Sequence, residues 1–271
     1  MYLRAVHAEF NIPALRHFIR ENPLGLLITS LSSPNFPTIQ CTHIPWLLDV
    51  EDDSSETELG RLRGHLARQN PHSKALIEAA TQKQQSPSDN NNNNGTSPSS
   101  TGTKSLREEV SVIFNGPAHH YVTPKFYVET KPATGKVVPT WNYSAVQVYG
   151  TATVHYDTHL EVTGRFLQRQ ISDLSNHAET TVMGYERPWS VEDAPERYIE
   201  LLKKNIIGIE IEVTRLEGKY KMSQELGKAD REGVIKGFAA LNTEVGDLVA
   251  KTVELRGELK DSQKTVGETR A

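Results

Sequence analysis

Ile207-Gly208-Ile209-Glu210-Ile211-Glu212-Val213-Thr214 is apolar at every odd position and small or polar at every even one. Side chains along a strand point to opposite faces with a period of two, so this stretch has one face in a core and one in water. Such one-sided burial belongs to antiparallel sheets; strands of a parallel sheet covered on both faces read as continuous apolar runs. The expectation is an α+β chain built on antiparallel strands with short connections.

Working outward, other strands read at Leu24 to Thr29, Thr38 to Leu48, Gly60 to Ala67, Val110 to Phe114 and His119 to Thr123. In the second of these Thr42, Ile44 and Trp46 share a face opposite Cys41, His43 and Pro45, and His43 reads as a structural histidine. Leu216 to Tyr220 reads as a turn into Lys221-Met222-Ser223-Gln224. Asn11 with Pro13 caps a helix that buries Leu15, Phe18 and Ile19, and Asn70-Pro71 opens another that buries Ala75, Leu76 and Ala79. Further helices read at about 159–174, 195–204, 230–240 and 244–259, followed by a polar, frayed tail at 260–271. Six or seven short-loop strands with helices between them argue an α+β domain on a small barrel.

At 271 residues the chain has room for one large or two small domains. Its mean hydropathy of -0.51 is low for a compact enzyme, so polar sequence dilutes the average. Residues 82–105, rich in Ser, Thr and Gly and containing Asn90 to Asn94, read as a disordered surface insertion. A net charge of -4 supplies no general field for nucleic acid and argues against direct DNA binding. Cys41 is the one cysteine, which excludes an internal disulfide framework. No apolar run is long enough to span a membrane and no leader pattern opens the chain, so the expectation is a soluble cytoplasmic protein, with nuclear entry left open.

Two stretches carry chemistry. On Gly60 to Ala67 the groups Arg61, Arg63 and His65 share a face, and they repel one another unless an anion or carboxylates sit between them. Arg68 follows, and the helix N-terminus at Asn70 beside these arginines makes a phosphate seat. From Lys136 to Gly150, Pro139-Thr140-Trp141-Asn142-Tyr143 reads as a rigid turn entering a strand from Tyr143 to His155. One indole, one amide and one phenol there suit a flat aromatic ligand; the competing reading buries Trp141 in the core. Lys219, Lys221 and Ser223 share a parity and form another possible anion contact. His119 and His120 are adjacent and face apart, which argues against a metal. Dinucleotide, kinase, zinc-protease, nucleophile-elbow and C-x-x-C motifs are missing.

Taken in order, Leu62-Arg63-Gly64-His65-Leu66-Ala67-Arg68-Gln69-Asn70-Pro71-His72, Val112 to Pro117, Tyr121-Val122-Thr123-Pro124, Lys136 to Gly150 and Leu216 to Gln224 resemble the PaiB family, described as FMN-binding negative transcriptional regulators. Gln147, Tyr220 and Glu225 stand where that family commonly has His, Trp and Asn. The resemblance covers about residues 1–241, as a split β-barrel domain of the pyridoxamine-phosphate-oxidase-like type with the insertion inside it, and leaves 242–271 as a C-terminal helix and polar tail. It implies a homodimer with FMN at the subunit interface. Arg63, His65, Arg68 and Asn70 would then meet the phosphate, Thr140, Trp141, Asn142 and Tyr143 the ring, and Thr123 and Lys125 would come from the facing subunit. The function implied is an FMN-binding regulator that acts indirectly. Its alternatives are an FMN-dependent oxidoreductase with a nicotinamide donor, or a dimeric barrel binding another planar ligand such as haem.

Overall fold

In the computed structural model, which describes residues 1–81 and 103–268, the alternating stretch lies inside a strand of 16 residues, Ile206–Lys221. Ile207, Ile209, Ile211 and Val213 are buried while Glu212 and Thr214 are exposed, as the period of two requires.

The described residues form, in chain order, β1 (Ala8–Glu9), α1 (Ile12–Glu21), β2 (Leu24–Ser30), β3 (Ile39–Pro45), β4 (Leu47–Asp49) and β5 (Arg61–Ala67). Next come α2 (Pro71–Thr81), β6 (Thr103–Asn115), β7 (His120–Val122), α3 (Thr130–Thr134) and β8 (Thr140–His155). Then follow α4 (Glu161–His177), α5 (Glu196–Lys203), β9 (Ile206–Lys221), α6 (Lys228–Ala239) and α7 (Glu244–Glu268). They group into two units interleaved in sequence: Met1–Asn22, Phe114–Gln147 and Leu216–Ala271 make the first, Pro23–Ile113 and Val148–Arg215 the second.

In the second unit neighbouring strands follow the order β3-β2-β6-β8-β9-β5-β4. Only Trp46 separates β3 from β4 in the chain, so the first strand of that order continues directly into the last. One bent ribbon thus pairs antiparallel with β2 along its first half and with β5 along its second, closing the sheet into a barrel of six staves. The bend is held by Trp46, whose backbone N–H donates to the Pro23 carbonyl at 2.9 Å and whose indole is buried. Gly64 lies beneath that indole: a Cβ there would come within 3.0 Å of both Trp46 and Ile44. Leu27, Leu62, Val112 and Val154 join the β9 isoleucines in the core.

The first unit packs α6 and α7 over Ala118, Val122, Tyr127 and Met222, with Val234, Phe238, Val249 and Val253 as the helical contribution. Phe126 and His120 meet Phe238 edge-on, with ring centroids 5.2 and 5.4 Å away. α1 starts as expected, the Asn11 side chain accepting from Ala14 N–H at 2.8 Å, and buries Leu15, Phe18 and Ile19.

Five local expectations change. Thr140 to Asn142 are strand, because β7 pairs with this end of β8 in the register Tyr121↔Trp141. Leu216 to Tyr220 continue β9; Gly218 looks like a turn former but serves close approach, since it pairs with Glu9 and a Cβ there would lie 2.1 Å from Leu15. β6 starts at Thr103, inside the expected insertion, with Ser105 meeting the Thr153 hydroxyl at 2.9 Å; the remainder of that insertion lies outside the described residues. α7 runs on to Glu268 where fraying was expected, pinned by Arg231 to Asp261 and by Lys260 to the Gln224 carbonyl. In α2 the buried alanine of the last turn is Ala80, with Ala79 half-buried. Among the described residues no helix is long and apolar enough to cross a membrane.

Candidate functional site

The barrel unit holds Arg63, His65, Arg68 and Asn70. Carboxylates separate the clustered basic groups of β5. Arg61 Nε donates to Glu212 at 2.9 Å. Arg63 is 3% exposed and donates to both Asp49 oxygens at 2.5 and 2.8 Å, to Asp173 at 2.8 Å and to the Gln170 side-chain oxygen Oε1 at 3.3 Å. Burial by itself would lower the Arg63 pKa; the hydrogen bonds and charge of Asp49, then Asp173, outweigh it and raise the value.

Arg68 reaches three backbone carbonyls, those of Lys204 at 3.0 Å, Tyr156 at 2.5 Å and Ile206 at 3.3 Å. Asn70 opens α2 as expected, its side chain accepting from the His72 N–H at 2.9 Å. His65 is largely buried, desolvation lowers its pKa, and its Nδ1 meets no hydrogen-bond partner among the described residues. This end of the expected site is therefore an internal brace: its guanidinium groups are directed at the protein, and its imidazole is held neutral.

The first unit holds the other half, Thr123, Lys125, Thr140, Trp141, Asn142 and Tyr143. Strand alternation turns Trp141 out and Asn142 in. Trp141 is 51% exposed and its partner across the ladder, Tyr121, 44%. Their rings lie 6.4 Å apart and 64° from parallel. Asn142 is fully buried and donates to the Ser223 hydroxyl at 3.0 Å, which fixes the start of β8 against the end of β9. Thr123 caps the turn at Pro124–Phe126 by accepting from Lys125 N–H at 3.3 Å, and the Lys125 side chain is exposed.

The Lys221 ammonium ties this cluster together. It donates to the Thr140 hydroxyl and to the Trp141 carbonyl, the latter at 3.0 Å. Lys219, on the same parity of β9, lies 5.3 Å from the Tyr143 ring centroid and donates to the Tyr2 carbonyl at 3.1 Å. Desolvation lowers the Lys221 pKa; Glu225 opposes the shift, and the charges of Lys219 and Arg4 add to it. Glu225 is itself within 3.1 Å of His7 Nε2. Three cations and one carboxylate, Glu225, thus act on one another at the end of β9.

With Glu225 as the one carboxylate among the described residues acting on Lys221 against Lys219 and Arg4, the group keeps a net positive charge, and a phosphomonoester dianion is the chemical match to two lysines, an arginine and a hydroxyl. A flat ring system finds apolar surface in Trp141 and Tyr121. The residues present therefore fit a phosphorylated aromatic cofactor. Arg4 was not among the sequence candidates: it lies more than two hundred residues before Lys219, and no local pattern joins them. Lys219 and Lys221 were visible through their shared parity.

A closed antiparallel barrel with peripheral helices, and a cationic strand end flanked by exposed rings, define an α+β protein suited to a phosphorylated planar cofactor. The chain belongs to the family described as "Putative FMN-binding domain", which it matches over residues 1–215, and FMN is the cofactor of that family. The resemblance to PaiB proteins holds at the level of whole chains: "Protease synthase and sporulation protein PAI 2" of Bacillus subtilis is 25% identical over 236 residues, covering 87% of this chain and 88% of that one. An uncharacterized protein of Aspergillus fumigatus is 58% identical over 273 residues, covering 97% of this chain and all of the relative. Among solved structures, the conserved hypothetical protein Rv2991 from Mycobacterium tuberculosis aligns over 84% of this chain and 94% of its own, with a TM-score of 0.44 and 11% identity.

Proposed function

We propose that the chain binds FMN with its phosphate on Arg4, Lys219, Lys221 and the Thr140 hydroxyl, its ring toward Trp141 and Tyr121, and that it affects transcription indirectly, through a partner or a metabolite. The observation that carries this reading is the Lys221 ammonium held on the Thr140 hydroxyl and the Trp141 carbonyl, with Lys219 on the same parity of β9 and the Trp141 and Tyr121 rings half-exposed. When bound, FMN supplies hydride and single-electron chemistry. The chain's own residues bind and orient it: Lys221 and Thr140 present donors to an anion, and the buried Asn142–Ser223 contact holds their strand in register.

The indirect role is supported by the net charge of -4 and by the pairing of Arg61 and Arg63 with carboxylates, which takes those cations away from nucleic acid.

The test is a titration of the purified chain with FMN and with riboflavin, which lacks the phosphate. Lys221→Gln is expected to weaken FMN by about tenfold or more and to leave riboflavin nearly unchanged, as loss of one charge-assisted contact requires. Equal weakening of both flavins, or no flavin binding by the parent chain, sinks the proposed site. A gel shift at physiological salt with duplex DNA is expected to show no complex, and a stable complex overturns the indirect role.

A further inference from the structure

The residues that follow β9, Met222 to Glu225, are held more firmly than a surface turn requires. Ser223 has a φ of 59°, in the left-handed region that non-glycine residues rarely adopt. Its buried hydroxyl meets the Asn142 side chain at 3.0 and 3.2 Å. The Gln224 side chain folds back on the Met222 N–H at 2.7 Å and on the Tyr220 carbonyl at 2.5 Å. Lys260 reaches the carbonyls of Gln224 and Leu226, the latter at 3.4 Å. A costly backbone conformation persists only where its surroundings over-determine it, and such places cluster at ligand clamps. What this turn presents is Glu225. Its carboxylate, 23% exposed, lies 3.1 Å from Nε2 of His7, which is 2% exposed. It acts on the Lys221 ammonium, and it comes next after burial among the causes that raise the Tyr127 pKa. A partly shielded negative charge is thus built in between His7 and the cations at the end of β9.

On the FMN reading proposed above, on which this rests, we infer that Glu225 is a specificity-determining residue: a built-in counter-charge that opposes the ligand's phosphate at Lys221 and narrows the preference for a phosphorylated flavin over an unphosphorylated one. The carboxylate has two effects of opposite sign on an incoming phosphomonoester. It favours the ammonium form of Lys221, and it repels the dianion. Once the dianion stands beside Lys221 it favours the ammonium by itself, so the first effect becomes redundant while the repulsion remains. A carboxylate and a dianion within a side chain's length of each other, at the effective dielectric of a protein surface, oppose binding by about tenfold. Lys219 and Arg4 keep the group positive, so the phosphate still binds and Glu225 sets how strongly.

Flavin titrations of the full chain at neutral pH test this. Glu225→Gln removes the charge and keeps both the shape and an oxygen for His7. It is expected to tighten FMN about tenfold and to leave riboflavin within about twofold of the parent, with an unchanged circular dichroism spectrum. The inhibition constant of inorganic phosphate, added as a competitor of FMN, is expected to fall about as far as that of FMN, because the repulsion acts on the phosphate alone. If Lys221→Gln weakens FMN selectively but Glu225→Gln leaves FMN unchanged or weaker, tightens both flavins alike, or leaves the phosphate constant where it was, this inference is overturned and the FMN site stands. If the parent binds no flavin, or Lys221→Gln weakens both flavins equally, the site itself falls and the role of Glu225 falls with it.

Discussion

His155 lies face to face on Phe166, ring centroids 3.8 Å apart and planes 7° from parallel. Gly208 makes the approach possible, since a Cβ there would come 2.3 Å from the Phe166 ring. Neither imidazole nitrogen of His155 meets a hydrogen-bond partner among the described residues, and desolvation lowers its pKa to about 4. His72 has the same value and cause, although its two nitrogens lie 2.8 Å from the Thr29 and Thr42 hydroxyls.

Both imidazoles are neutral in the fold and free to protonate in the unfolded chain. Between pH 6.5 and about 4 the unfolded state therefore binds more protons, and stability falls as pH falls through that window, by on the order of 3 kcal/mol per histidine. Urea melts across this range are expected to show the loss. His155→Phe keeps the ring packing and is expected to remove about half of it; a slope identical to the parent's contradicts the assignment.

Arg63 separates a structural from a ligand role. Removing a buried guanidinium bonded to Asp49 and Asp173 leaves two partly exposed carboxylates with Arg169, at 3.4 and 3.3 Å, as their remaining cation among the described residues. Arg63→Ala is expected to cost about 2–3 kcal/mol of unfolding free energy, below the figure for a fully buried pair because water screens the acids. FMN affinity of the folded variant is expected to stay within a few-fold of the parent. A large loss of FMN affinity with stability intact would return Arg63 to the phosphate site.

The lowered pKa of Lys221 predicts how flavin binding depends on pH. A lysine binds a phosphate only as the ammonium, and its neutral form gains population below the ordinary value of 10.5. FMN affinity is expected to decline with rising pH on the alkaline side while riboflavin affinity does not follow. Lys221→Arg, which keeps its charge, is expected to flatten the decline. Parallel pH profiles for the two flavins would exclude Lys221 as the titrating group.

The helical layer of the first unit has little tolerance. A Cβ at Gly233 would lie 2.1 Å from the Phe126 carbonyl oxygen, a backbone atom that cannot swing aside. Phe238 is fully buried between Phe126 and His120. Phe238→Ala is expected to cost about 3–5 kcal/mol, and Gly233→Ala about 1–3 kcal/mol by overpacking. Thermal melts of both variants check this, and an unshifted midpoint for Gly233→Ala would mean that α6 sits farther from Phe126.

The sequence by itself determined the antiparallel α+β class, since the period of two in β9 and β5 and the caps at Asn11 and Asn70 are local signals needing no partner. Its family motifs led to FMN as cofactor. It also posed the right question about Arg61, Arg63 and His65, that such a face requires counter-charges. Tertiary structure decided which counter-charges: Asp49 and Asp173 come from β4 and α4, far apart in the chain, and their carboxylates meet Arg63 only when the strands register. It likewise turned the Trp141 corner into strand through pairing with Tyr121, and it brought Arg4 to Lys221. Alternation and capping act between residues a few positions apart and are therefore written in the order of the chain, whereas Coulomb attraction and ring contact act between whatever the fold brings within a few ångströms.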